Sequence, residues 1–277
     1  MQDRYSDIKS KIIEQCENDS EVRAIIAIGS STRANTPADE FSDLDLIIVT
    51  ENTEKWYAGE YPELFGRVSI SFTEPTLGGG IERRCIYDAD KDVDMIIFTP
   101  LQFSSALKKG EAGLVMNRGY KMLIDKDGYA EKAAEYVSPE ISSEEITESE
   151  FENLVNDFYF HNIWALKKLK RGELWSAKMC IDSYLKSRLL KMIEQYQLCK
   201  NTKDVWHDGR FLDSWAESSV TERLKKCFAH YDSDDCMAAL LETHSLFAFL
   251  AEFVAKKRGF SYPEAAKKCA AKYLSGK

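Results

Sequence analysis

In the first half of the chain the apolar positions come in short runs separated by polar, turn-rich stretches. Residues 22–28, 44–49, 68–72, 85–87 and 93–98 are such runs. They are brief and rich in Ile and Val, so they predict strands rather than helices. Residues 5–17 and 101–109 repeat their apolar groups at three and four positions and predict helices. Gly78-Gly79-Gly80, between two of the runs, reads as a flexible loop. Residues 120–124 predict one more strand, closed by the turn Asp125-Lys126-Asp127-Gly128.

The pattern changes near residue 138. Pro139 is followed by Glu140, Ser142, Ser143, Glu144, Glu145, Thr147, Glu148 and Glu150, with no base among them. This reads as a solvated connector that runs into a helix N-terminus, where acids suit the helix dipole. Beyond Phe151 the spacing is helical throughout. One stripe holds Phe151, Leu154, Val155, Phe158, Leu166 and Leu169. A second runs from Leu174 through Ile181 to Ile193, and a third from Met237 to Val254. Gly172 and Gly259 stand where helices should end. The expectation is an α+β fold: residues 1–138 as a mixed sheet with helices, and residues 139–277 as an all-α helical bundle.

Composition narrows the class. Hydrophobic residues make up 44% of the 277, too many for a disordered chain. No unbroken run of about 18 apolar residues occurs, so no membrane span or membrane partner is expected. The charged N-terminal segment lacks the apolar core of a secretory signal, which predicts a cytoplasmic protein. Seven cysteines without a Cys-x-x-Cys pair predict reduced thiols rather than a disulfide framework or zinc site. The net charge of -9 and the lack of a basic stripe argue against a nucleic-acid partner and suit a cationic small-molecule acceptor.

The segment from Ala24 to Thr50 carries the chemistry. An apolar strand meets Gly29-Ser30-Ser31, a polar stretch follows, and Asp43-Leu44-Asp45 opens a second apolar strand. Strand residues two apart share a face, so Asp43 and Asp45 present two carboxylates side by side. Their mutual repulsion is relieved by a divalent cation between them, and oxygen ligands suit Mg²⁺. Asp92-Val93-Asp94 opens another apolar strand. If the two strands are neighbours, Asp94 completes a cluster for two metals, the arrangement that clamps attacking and leaving oxygens in phosphoryl displacement. Glycine at residue 29 lets backbone approach a phosphate, Ser30 and Ser31 add hydroxyls, and Arg33 is placed to reach the outer phosphates. Taken singly, an Asp-x-Asp pair or a Gly-Ser turn is commonplace. Their combination on strands carries the signal.

That combination resembles the nucleotidyltransferase superfamily of the polymerase-β type. Within it the chain is similar to the aminoglycoside 6-adenylyltransferases, the streptomycin-modifying enzymes. The similar stretches span most of the chain and include residues 33–46, 92–98, 123–128, 169–174, 187–193 and 258–264. The resemblance implies transfer of AMP from ATP, with Mg²⁺, to a hydroxyl of a streptomycin-like aminoglycoside. Pyrophosphate is released and the drug is inactivated. It implies Asp43, Asp45 and Asp94 as metal ligands and catalytic residues, and Gly29, Ser30 and Arg33 as holders of the triphosphate. Two departures stand out. Ser31-Thr32 separates Ser30 from Arg33, like a one-residue insertion in the phosphate loop. Where the family tends to have Gly-Lys-Asn, this chain has Trp206-His207-Asp208-Gly209-Arg210, which makes Arg210 a candidate for phosphate neutralisation. Another small molecule or a protein hydroxyl as acceptor, and a non-catalytic nucleotide sensor, are the competing readings.

For the acceptor, the helical half offers Asp182, with Asp157 and Glu173 as similar acids, and Trp164, Trp175 and Tyr159 as a stacking wall. Ordinary solvated acids and core aromatics are the plainer reading of each. The four histidines show no ligand spacing and read as structural. The acceptor is expected in a cleft between the two domains.

Overall fold

The computed structural model describes residues 3–33, 38–138, 143–202 and 204–275. Part of the polar stretch after Arg33 and the start of the acidic run at Pro139 lie outside them. Two compact units divide the chain, Met1–Ile141 and Ser142–Lys277.

The first unit runs α1 (Ser6–Cys16), β1 (Val22–Ile28), β2 (Leu44–Thr50), α2 (Glu54–Tyr57), α3 (Pro62–Phe65), β3 (Val68–Pro75), β4 (Ile81–Tyr87), β5 (Lys91–Phe98), α4 (Pro100–Lys108), α5 (Gly113–Met116), β6 (Lys121–Asp125) and α6 (Tyr129–Ala134). The six strands form one sheet in the order β3-β4-β5-β2-β1-β6. Only β2 and β5 run parallel; the other neighbours are antiparallel, so the sheet is mixed as expected.

Alternation along the strands sorts side chains to two cores. Leu44, Leu46, Ile48, Val93, Met95 and Ile97 pack on one face with Ile8 and Ile12 of α1 and with Trp56 and Phe65. Ile47, Val49 and Phe98 pack on the other with Phe103, Ala106, Met116 and Tyr129. A bulge between Val22 and Ala24 shifts β1 by one position, so these two residues face opposite cores although they stand two apart. At one edge of the sheet β3 carries Ile70 and Phe72 with more than half of each side chain exposed.

Two expectations change here. The strand expected at 85–87 begins at Ile81. Its charged start, Glu82-Arg83-Arg84, hides the apolar alternation. Arg83 is nonetheless buried, with its guanidinium donating to the Trp56 and Tyr57 carbonyls. The triglycine loop is packed rather than loose. A Cβ at Gly80 would stand 2.8 Å from the Ile97 carbonyl oxygen and 2.6 Å from the Phe98 ring.

The second unit is helical: α7 (Glu148–Lys170), α8 (Leu174–Met179), α9 (Leu185–Leu198), α10 (Leu212–Trp215), α11 (Ser218–Leu224), α12 (Ser233–Arg258) and α13 (Glu264–Leu274). One π-helical turn, Cys180–Tyr184, joins α8 to α9. Thr147 and Glu150 close a reciprocal capping box at the start of α7. By length and composition α12 is apolar enough to cross a membrane. Its buried stripe, Leu240, Leu246, Phe247, Leu250 and Val254, is built into the bundle core, where the Phe247 and Phe158 rings stack 3.6 Å apart.

The acids of the run, Glu144, Glu145, Glu148 and Glu150, are exposed as expected, but the backbone between them is tied down. Ser143 bonds both the N–H and the carbonyl of Val205. The buried Gln195 side chain donates to the Glu144 carbonyl at 3.0 Å and accepts from the Ile146 N–H at 3.1 Å. The seven cysteines are free thiols; five are buried, Cys199 is half-buried and Cys269 is exposed.

Candidate active site

The site is built where β1 ends and β2 and β5 begin. Ile28, the last residue of β1, pairs with Asp45 in β2. Asp45 in turn stands opposite Asp94 in the parallel register of β2 and β5. The neighbourhood of these strands, a condition the sequence left open, is therefore met. Asp43 lies just before the first residue of β2 rather than within it. Each of the three carboxylates offers an oxygen within 4.8 Å of the others, and all three are half-buried.

Gly29 makes this packing possible. Its φ is +73°, and a Cβ at this residue would lie 1.9 Å from the Asp45 Oδ2. Glycine is required twice over, by the left-handed backbone and by the carboxylate that fills the place of a side chain. Residues Gly29–Thr32 then form one 3-10 turn. Within it the Ser30 hydroxyl is buried and has no hydrogen-bond partner. Leaving such a group unmet costs about 1–3 kcal/mol. The Ser31 hydroxyl bonds back to the Ile28 carbonyl at 3.3 Å, and that of Thr32 to Gly29 and Gly119. Arg33 follows in extended conformation.

The sequence reading missed what flanks Asp94 on the other side. Arg84 pairs with Asp94 in the β4–β5 register. Its guanidinium lies 3.6 Å from Asp94, 3.2 Å from Glu82 and 3.0 Å from Glu74. Burial raises the Asp94 carboxyl to about 6; Arg84 opposes the rise, while Glu82, Asp43 and Asp92 add to it. The signal was present as charges inside a strand-length stretch, but the short strand expected there concealed it.

The donor set fits hard divalent cations. Three carboxylates converge at the strand starts, and a glycine turn with an unmet hydroxyl abuts one of them. Among the described residues, Asp43, Asp45 and Asp94 form the group able to ligate metal, with Gly29 beside Asp45.

Comparison with known proteins identifies the lineage. The sequence profile described as streptomycin adenylyltransferase matches residues 3–276. The chain belongs to the streptomycin adenylyltransferase family. It is an aminoglycoside 6-adenylyltransferase-like nucleotidyltransferase. Relatives include the aminoglycoside 6-adenylyltransferase of Bacillus subtilis (strain 168), 21% identical over 89% of this chain and 88% of that protein. The enzyme of the same name from Campylobacter jejuni is 20% identical over 91% of this chain and 88% of its own. A solved structure of a Bacillus subtilis aminoglycoside 6-adenyltransferase aligns over 98% of this chain and 95% of that chain, with a TM-score of 0.47 and 17% identity.

The other candidates of this family member sit in the second unit. Arg210 follows the turn His207–Gly209 and is exposed, with its guanidinium over the Phe211 ring at 5.9 Å. Asp182 lies in the π-turn and is paired with Lys178 through Oδ2, while its Oδ1 is buried without a partner. Asp157 holds Arg188 at 2.6 Å, His161 at 2.7 Å and the Tyr184 hydroxyl at 2.9 Å. Burial would raise its pKa, but the Arg188 and Tyr184 hydrogen bonds outweigh that and lower it. Glu173 is shared by Lys168 and Arg171. Tyr159 is no part of a wall. It is buried in the bundle core, and its hydroxyl meets that of Tyr262 at 2.6 Å.

Proposed function

We propose that this protein transfers AMP from ATP to a hydroxyl of a streptomycin-like aminoglycoside, releases pyrophosphate and thereby confers resistance. The observation that carries this reading is the convergence of Asp43, Asp45 and Asp94 within 4.8 Å, next to the Gly29 turn. The family's description and the names of the relatives support an adenylyl group and an aminoglycoside acceptor.

In this reading Asp43, Asp45 and Asp94 hold two Mg²⁺ ions. Bound there, the metal supplies charge neutralisation for the phosphates and a lowered pKa for the acceptor hydroxyl. The turn at Gly29 and Ser30 takes the triphosphate, with the buried Ser30 hydroxyl donating to a phosphate oxygen; Ser31, Arg33 and Arg210 remain the further candidates for nucleotide contact, and Asp182 for the acceptor. The acceptor oxygen forms its bond to the α-phosphorus as the bond to pyrophosphate breaks. Its proton passes to a nearby carboxylate, for which Asp94, between Asp45 and Arg84 in the strand register, is one candidate.

The test is pyrophosphate release from ATP, Mg²⁺ and a panel of aminoglycosides. Streptomycin-dependent release is expected. The Asp45→Asn variant should lose turnover while keeping the wild-type melting temperature, since the amide keeps the shape and loses the charge that holds metal. Near wild-type turnover in that variant would remove Asp45 from the metal site. Absence of release with every aminoglycoside would end the acceptor assignment.

A further inference from the structure

The second unit carries a groove of about 520 Å³ between α7 and α8, within the range of roughly 300–1,000 Å³ that small-molecule sites occupy. His161 and Trp164 line it from α7, Trp175, Ser176 and Met179 from α8, and Tyr184 from the π-turn. Trp175 is 68% exposed and Met179 48%. Trp164 and Tyr184 are half-buried against the bundle core, while Trp175, edge-on to Tyr231, and Met179 leave apolar area in water. The π-turn adds a residue to one helical turn and so resets the helix face that carries Tyr184; such turns concentrate at functional sites.

We propose that this groove binds the cationic sugar rings of the aminoglycoside acceptor, a proposal that rests on the functional reading above. Saturated rings stack their C–H faces on indoles, and the two tryptophans offer two such surfaces. A cation already exploits one of them: the Lys168 ammonium lies 5.1 Å from the Trp164 ring centroid. An ammonium or guanidinium group of the ligand can engage Trp175 in the same way. His161 adds a polar contact. Its Nδ1 faces the Asp157 carboxylate at 2.7 Å, so the proton is assigned there and Nε2 accepts from a sugar hydroxyl.

A nucleotide is the competing occupant, because a purine also stacks on indole. The cations beside the rings favour the sugar. Lys168 over Trp164, Arg188 over Tyr184 and Lys178 next to Met179 are each engaged by a carboxylate: Glu173, Asp157 and Asp182. These three are therefore not free to neutralise phosphates, and the remaining bases of α7, Lys167 and Lys170, stand at its exposed C-terminal end.

Streptomycin binding to the full chain, followed by calorimetry with and without ATP, tests the proposal together with the KM for each substrate. Trp175 is exposed, so Trp175→Ala should fold normally. It should weaken streptomycin about tenfold or more and leave the KM for ATP unchanged, and Trp175→Phe should recover most of the loss. Unchanged streptomycin affinity in Trp175→Ala, in a protein whose wild type adenylylates the drug, overturns the groove and leaves the reaction standing. A rise in the KM for ATP matching the loss of drug affinity overturns it in favour of a nucleotide site. A wild type that neither binds nor modifies any aminoglycoside removes the functional reading and the groove with it.

Discussion

At the scale of single residues, Gly29 sets the site more tightly than any charged group. A methyl at residue 29 must displace the Asp45 carboxylate, whose Oδ2 occupies the place of that Cβ. Gly29→Ala should therefore lower turnover by roughly 10²-fold, the usual effect of an ångström-scale misplacement. Mn²⁺ binding, followed by electron paramagnetic resonance, should weaken in parallel. Wild-type metal affinity in that variant would show that Asp45 is not displaced. The Gly-Ser pair was legible in the sequence, but its reason was not. The contact depends on β1 pairing Ile28 with Asp45, and register does not follow from a one-dimensional pattern. Lys186 was not legible at all. It lies among core groups, donating to the Ile181 carbonyl and the Thr243 hydroxyl, each at 2.9 Å. Burial lowers its pKa to about 8. An unfolded lysine holds its proton to about pH 10.4. Between these values the unfolded chain binds more protons than the folded one, so stability should rise with pH from about 8 to 10. Thermal melts across that window should show the rise in the wild type and lose it in Lys186→Met. Parallel melting curves would mean the lysine titrates normally.

At the scale of elements, the strands at 22–28, 44–49 and 93–98 were legible because their apolar faces are nearly continuous. The strand β4 was not, because charged residues occupy its first half and its hairpin turns on Asp88 and Ala89, both at positive φ without a glycine. The acidic run before α7 was legible as solvated side chains, but the anchoring of its backbone was not. Composition reports solvation only on average, while Gln195, a polar residue 49 positions from Ile146, ties down the backbone there. Removing that amide should free the segment. With Gln195→Ala, a glutamate-specific protease should cut after Glu144 or Glu145 under conditions where the wild type resists at those bonds. Equal resistance would mean that the Ser143–Val205 bonds suffice.

At the scale of the whole molecule, a mixed sheet followed by a helical bundle was readable from two periodicities, two residues in one half and 3.6 in the other. The carboxylate triad was readable because each acid stands at the start of an apolar run in the sequence, 44–49 or 93–98. The aromatic groove was only half readable: Trp164 and Trp175 were singled out, but spacing alone grouped the buried Tyr159 with them. The sheet also has a property that bears on handling rather than catalysis. Its β3 border presents unpaired backbone groups beside the exposed Ile70 and Phe72, and such a border is a template on which a strand from another molecule can add. Concentrated or warmed solutions should cloud through this strand before the cores melt. Placing a lysine there, as Ile70→Lys, should raise the onset temperature of light scattering with little change in the calorimetric melt. An onset that does not move would trace the clouding to some other surface. Where the onset does rise, shelf life is set by one ribbon of eight residues at the margin of the sheet, not by the strength of the protein's interior.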